Sequence, residues 1–166
     1  MQMITIKEVT TIDEIQIIKK LAHEIFHEIY TPIVNPDYVD YFIQKYQTAD
    51  TIQTQIKKEH FRYFLLQFND QNTGYLGVQL VKEKLILSKL YVLQSFRGLK
   101  IGKLALEYVY QLASAHRIPT IELMVNQQNK NSLAIYLKNG FQIIDSIVTF
   151  SPNGDSSEEY KMQKSI

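Results

Sequence analysis

The sequence predicts a single α/β domain over residues 1–166, a mixed and mostly antiparallel sheet flanked by helices. Three observations predict it. Short stretches rich in β-branched, aliphatic and aromatic residues recur from Ile4 to Gln163, separated by turn compositions. Between them lie stretches whose apolar residues repeat at three and four, the period of a helix buried on one face. The two kinds alternate as β-α-α-β-β-β-α-β-α-β-β, the order of a mixed sheet carrying helices. A chain of 166 residues buries roughly 70% of its unfolded surface and needs no cross-link.

Each element has its own signature. Ile4 to Val9 alternates β-branched with polar residues and reads as a strand. Thr11 or Asp13 then caps a helix whose buried face runs through Ile15, Ile18, Ala22, Ile25 and Ile29. Pro32 and Pro36 mark a loop. A second helical stretch covers Asp37 to Lys58, broken near Thr48-Ala49-Asp50, with Tyr38, Tyr41, Phe42, Tyr46, Ile52 and Ile56 as its packing positions. Phe61–Phe68, Tyr75–Val81 and Leu85–Leu93 form an antiparallel meander through turns at Asn69-Asp70-Gln71-Asn72 and Lys82-Glu83-Lys84. A helix follows Gly102 with Leu104, Ala105, Tyr108, Leu112 and Ala115 on its apolar side. Thr120–Val125 is a strand and Ser132–Asn139 a short helix, ended by Gly140 where a left-handed residue is wanted. Phe141–Phe150 is a strand, and Glu158–Gln163 reads as a final edge strand.

Composition excludes several functions. Eighteen Lys+Arg against 17 Asp+Glu leave a charge of +1, which argues against a nucleic-acid or anionic-membrane binder. The absence of cysteine excludes a thiolate metal site and an acyl-cysteine intermediate. No apolar run approaches the roughly 20 residues of a bilayer span, and the first residues carry no leader pattern, so a cytoplasmic protein is expected.

The most informative stretch runs from Leu90 to Leu104. A buried strand ends, a loop with Gly98 and Gly102 follows, and a long helix begins. The first N–H groups of such a helix are unsatisfied and its dipole adds partial positive charge, while Arg97, Lys100 and Lys103 add full charges. The arrangement suits a pyrophosphate, with a plain turn bearing solvated basic residues as the alternative. It is neither a Walker loop nor a dinucleotide fingerprint, lacking Gly-Lys-Ser/Thr and a third spaced glycine.

Arg97-Gly98-x-x-Ile101-Gly102 after Leu90-Tyr91-Val92 resembles motif A of the GCN5-related N-acetyltransferase (GNAT) superfamily. Leu123-x-Val125-x-x-x-Asn129 followed by Tyr136-x-x-x-Gly140-Phe141 resembles its motif B, in the right order and about thirty residues on. The resemblance covers roughly residues 85–150. It departs at Lys100, where the family usually has a further glycine, and at Ser132, where alanine is commoner.

The resemblance implies an acyl-CoA N-acyltransferase-like fold, splayed between its fourth and fifth strands around acetyl-CoA. Leu90, Tyr91 and Val92 then border the pantetheine arm, with main-chain bonds from Leu90 and Val92 and the Val92 N–H directed at the thioester carbonyl. Arg97, Gly98, Leu99, Lys100, Ile101, Gly102 and Lys103 cradle the pyrophosphate, and Asn129 bonds the cofactor arm. Tyr136 stands beside the sulfur as general acid for the departing thiolate, although a lone tyrosine on a short helix is otherwise a core residue. The implied reaction is direct transfer of the acetyl group to a primary amine (small molecule, polyamine or peptide) in a ternary complex, without metal. A non-catalytic acyl-CoA-binding module on the same fold is the alternative. Candidates for the base that deprotonates the amine are Glu24, His27, Glu28 and Glu122. Family members are often dimers, which leaves a homodimer open.

A competing motif is His23-Glu24-Ile25-Phe26-His27, a literal His-Glu-x-x-His match. On a helix the two histidines share a face and could hold zinc, with Glu59 as a downstream third ligand. Both fall off the apolar stripe, so they line the solvent side, and a metalloprotease reading leaves the Arg97–Gly102 and Asn129–Phe141 motifs unused.

Overall fold

The computed structural model describes residues 2–166; Met1, the first residue of the stretch read above for a leader pattern, lies outside them. The elements are β1 (Ile4–Glu8), α1 (Ile12–Tyr30), α2 (Pro36–Tyr46), α3 (Ala49–Lys58), β2 (Phe61–Phe68), β3 (Gln71–Val81), β4 (Lys84–Val92), a 3₁₀ turn (Gln94–Phe96), α4 (Ile101–Ala115), β5 (Thr120–Asn126), α5 (Lys130–Lys138), β6 (Gln142–Phe150) and β7 (Ser156–Ser165). The strands form one seven-stranded sheet in the order β1-β2-β3-β4-β5-β7-β6, antiparallel throughout except at β4–β5. Among the described residues no helix is long and apolar enough to cross a membrane.

Alternation along β2 explains the layering. Tyr63 and Leu65 face a core built with Ile18, Ala22, Ile25, Phe26 and Ile52 of α1 and α3. Phe64 and Leu66 face a second core with Ala105, Leu106 and Val109 of α4. Both faces are covered, which is why β2 reads as a continuous apolar run rather than an alternating one. Of the two candidate caps, Thr11 begins α1, in a reciprocal capping box with Glu14. The Glu14 carboxylate accepts from the Thr10 and Thr11 backbones at 3.0 Å and pairs with Lys7 at 3.2 Å.

The break expected near Thr48-Ala49-Asp50 is present, at Gln47 and Thr48 between two helices, and Thr48 caps the later one. Several expectations need correction. Pro36 belongs to the first turn of α2 rather than to the loop. Tyr41 is only partly covered and Tyr46 is exposed, because Val39 and Ile43 take the inward positions. The turn after β2 contains only Asn69 and Asp70, both left-handed as a two-residue hairpin requires, and Gln71 and Asn72 already belong to β3. On α4 the buried stripe is Ile101, Ala105, Leu106, Val109, Leu112 and Ala113, so Leu104 and Ala115 point outward. The last strand is not an edge. β7 lies between β5 and β6, leaving β6 as the edge, because the chain turns back after β6 and inserts beside β5.

Candidate active site

The parallel pairing of β4 with β5 stops early. It joins Lys84–Leu87 to Thr120–Leu123 and goes no further. Beyond it β4 stays with β3, through Gly74 opposite Val92, while β5 stays with β7, through Asn126 opposite Glu159. The sheet therefore splays between its fourth and fifth strands. The Leu93 N–H bonds the Thr73 carbonyl, so by strand alternation the main-chain groups of Leu90 and Val92 face the gap. The Val92 carbonyl already accepts from Arg97 Nε at 3.2 Å.

A groove of about 380 Å³ runs along this gap, lined in part by Leu90, Tyr91, Val92, Arg97, Asn129 and Ser132. Arg97 is the last lining residue before the start of α4 at Ile101, which no side chain caps. Gly98 has φ +82° and Lys100 has φ +67°, so the lysine occupies a left-handed position that suits glycine. A Cβ on Gly102 would meet no protein atom within 4 Å, so nothing inside the protein demands a glycine there. Open space above a helix N-terminus, flanked by Arg97, Lys100 and Lys103, fits a phosphate group. The Ile101 side chain is buried and Leu99 packs against the same core, and neither residue lines the groove.

Asn129 caps α5, accepting from the Ser132 N–H at 3.4 Å, and lines the groove. Tyr136 is half-buried, its ring edge-on to Phe141 at 5.5 Å. Ser132 and Ile135 line the groove from α5, whereas Tyr136 stands behind them. Burial, and then the Tyr30 and Tyr110 phenols, push its hydroxyl well above the usual tyrosine range.

The candidate bases are scattered. Glu122 sits on the paired part of β5. Burial acts to raise its carboxyl, but Gln163 at 3.0 Å, Lys84 at 3.1 Å and Lys161 at 3.4 Å prevail and hold it low. Glu24 is exposed. The Glu28 carboxylate accepts from the Gln94 N–H at 3.1 Å. His27 bonds Asp40 on α2 at 2.8 Å through Nε2 and Thr31 at 2.8 Å through Nδ1. Donor atoms of His23, His27 and Asp40 lie within 4.8 Å of one another, so the residue joining the histidine pair is Asp40 and not Glu59.

A second cavity, about 80 Å³, opens on the α1–α2 side of the splay. Aromatic side chains line it, Phe26 packing on Tyr91 at 4.9 Å and on Phe42 at 5.8 Å. Tyr91 borders both this cavity and the groove, and its hydroxyl lies 3.2 Å from that of Tyr30. Lys89 and Glu159 also reach the cavity. Burial lowers the Lys89 ammonium to about 8 and raises the Glu159 carboxyl against the opposing effect of Lys89. Sequence reading missed Tyr30, Lys89 and Glu159. Lys89 had a signal, a lone charge in an apolar strand; Glu159 had none.

A sheet that parts beside an uncapped, glycine-bearing helix start defines the N-acyltransferase-like class of fold. The chain belongs to the acetyltransferase (GNAT) domain family, whose model matches residues 30–154. It is similar to the spermidine N(1)-acetyltransferase of Thermoplasma acidophilum, 24% identical over 140 residues, 82% of this chain and 87% of the relative. Among solved structures it resembles the PaiA N-acetyltransferase of T. acidophilum in complex with coenzyme A, with a TM-score of 0.82, 20% identity and 99% of each chain covered. It also resembles the ribosomal-protein-S18-alanine N-acetyltransferase of Escherichia coli, with a TM-score of 0.75, 16% identity and 99% and 94% of the two chains covered.

Proposed function

We propose that this acetyltransferase moves an acetyl group from acetyl-CoA directly to a primary amine, in a ternary complex, with Tyr136 as general acid. The observation that carries the reading is the end of β4–β5 pairing at Leu87 and Leu123, which opens a groove lined by Leu90, Val92, Arg97 and Asn129. Acetyl-CoA supplies the activated acetyl group. Leu90 and Val92 align the pantetheine arm through main-chain groups that would otherwise lack a strand partner. Arg97, Lys100, Lys103 and the first N–H groups of α4 hold the pyrophosphate. Tyr136 holds a proton on its hydroxyl oxygen for the departing sulfur. A phenol pushed upward by burial keeps that proton at neutral pH, so it is present to be donated and does not act as the base. The cavity behind Tyr91 takes the acceptor, so donor and acceptor meet across one side chain. The named spermidine relative supports an amine acceptor.

The test is CoA release from acetyl-CoA against polyamines, amino acids, aminoglycosides and short peptides. Tyr136→Phe should lower kcat by about 100-fold while leaving CoA affinity by calorimetry unchanged. Parallel loss of both would remove the acid role. Acetyl-CoA binding without turnover on any amine would favour the non-catalytic alternative.

A further inference from the structure

The cavity behind Tyr91 holds two ionisable side chains that approach it from different strands. Lys89 comes from β4 and Glu159 from β7, on opposite sides of the splay. The Lys89 ammonium donates to the Ser88 carbonyl at 3.2 Å and hydroxyl at 3.3 Å. Among the described residues no ion pair within 4 Å joins Lys89 to a carboxylate or Glu159 to a cation. The two are opposite charges that act on each other across the cavity without touching, so a ligand carrying both signs can sit between them, against a wall that includes Phe26, Tyr30 and Phe42. Both groups line the same cavity, so a small molecule entering it meets both.

We infer that the acceptor is an amphoteric primary amine with an apolar or aromatic body, its carboxylate on Lys89 and its ammonium on Glu159. An apolar α-amino acid is the simplest example. The inference rests on the acetyltransferase reading and deepens it. A polyamine satisfies Glu159 but sets a further ammonium against Lys89. The aromatic wall accepts an apolar body. Glu159 takes one proton from the ammonium. The freed nitrogen lone pair forms a bond to the acetyl carbon as the carbon–sulfur bond breaks, and the departing thiolate takes the Tyr136 proton. The nitrogen's second proton restores Tyr136, and Glu159 returns the first to solvent, so amine and acetyl-CoA become amide, CoA thiol and one proton.

The experiment measures CoA release by the full chain with phenylalanine, leucine and methionine. It pairs them with phenethylamine and isoamylamine, which keep the body and lack the carboxylate, and adds spermidine. At least one amino acid should be preferred tenfold or more in kcat/KM over its decarboxylated counterpart and over spermidine. Lys89→Met should abolish the preference, and Glu159→Gln should lower kcat/KM for all the amines at least tenfold, both with unchanged CoA affinity. The inference is overturned if phenethylamine or spermidine matches the amino acids, if Lys89→Met retains the preference, or if CoA binds and no amino acid is acetylated. The wild-type comparison decides even if a variant folds poorly. Failure of CoA itself to bind by calorimetry would instead bring down the underlying acetyltransferase reading.

Discussion

Gly74→Ala should damage stability and catalysis together, by an amount that follows from one close approach. Gly74 on β3 pairs with Val92, and a Cβ there would lie 2.1 Å from the Tyr91 carbonyl oxygen and 3.0 Å from the Val92 Cα. A carbon rests no closer than about 3.3 Å to a carbonyl oxygen, so β4 must retreat by about 1.2 Å. Both partners are backbone, and no rotamer change relieves the clash. Overpacking of this kind costs about 1–3 kcal/mol, which for a chain of this size lowers Tm by roughly 3–10 °C. The displaced residues are the wall of the gap, and an ångström of misplacement at a reacting centre costs about 100-fold in rate. The assays are thermal denaturation, CoA calorimetry and kcat/KM for CoA release. Gly102→Ala is the control, because its added methyl meets no protein atom within 4 Å and should leave Tm at or slightly above wild type. A Gly74→Ala variant with wild-type Tm and kcat/KM would refute the argument that this approach holds the gap in place.

Three further outcomes are expected. Gly102→Glu places bulk and negative charge at the start of α4, and should weaken CoA binding at least tenfold by calorimetry with unchanged Tm. Glu14→Gln removes a carboxylate that the Thr10 backbone, opposed by burial and helped by Lys7 and Thr11, holds at about 2 in place of 4.5. Because that value is depressed, its stabilisation of about 2–3 kcal/mol is present above pH 4.5 and lost as pH falls toward 2. Denaturant titrations should therefore separate variant from wild type at pH 7 and bring them together near pH 2. The preference for an amino acid over its decarboxylated counterpart should fade between pH 7 and 9, as the Lys89 ammonium discharges near 8. Tyr30 and Tyr91, pushed upward by burial, keep their protons over that range, leaving Glu159 as the charge opposite; a constant ratio of kcat/KM would contradict the assignment.

The strand, turn and helix of residues 90–104 were legible because their signals are local. Strand, glycine turn and helix follow one another within residues 90–104, and a helix start needs no distant residue to expose its N–H groups. The strands were legible for the same reason, period and turn composition being properties of neighbours. Their order was not. Placing β7 between β5 and β6 depends on pairings such as Asn126 with Glu159, thirty-three positions apart and unmarked by any turn. Glu159 becomes a cavity residue only through that insertion. The buried stripe of α4 was misjudged because Leu104 and Leu106 are equally apolar, and which of them meets the core is settled by packing against distant strands.

Lys100 shows how a local departure acquires physical meaning. In the sequence it is only a lysine where the resemblance suggests glycine. In the fold it caps α4 at φ +67°, a conformation costing an L-residue about 1–2 kcal/mol. Hydrogen bonding by its side chain does not offset this, because no side chain caps the helix. The strain is therefore sustained by its neighbours: Ile101 is buried in the core at one side and Leu99 packs against that core at the other, pinning the backbone between them. The same two anchors flank the left-handed turn that starts α4, beside the open space at Gly102. A glycine at position 100 would relieve the strain and remove one positive charge from that mouth, so its effects on stability and on CoA affinity should run in opposite directions.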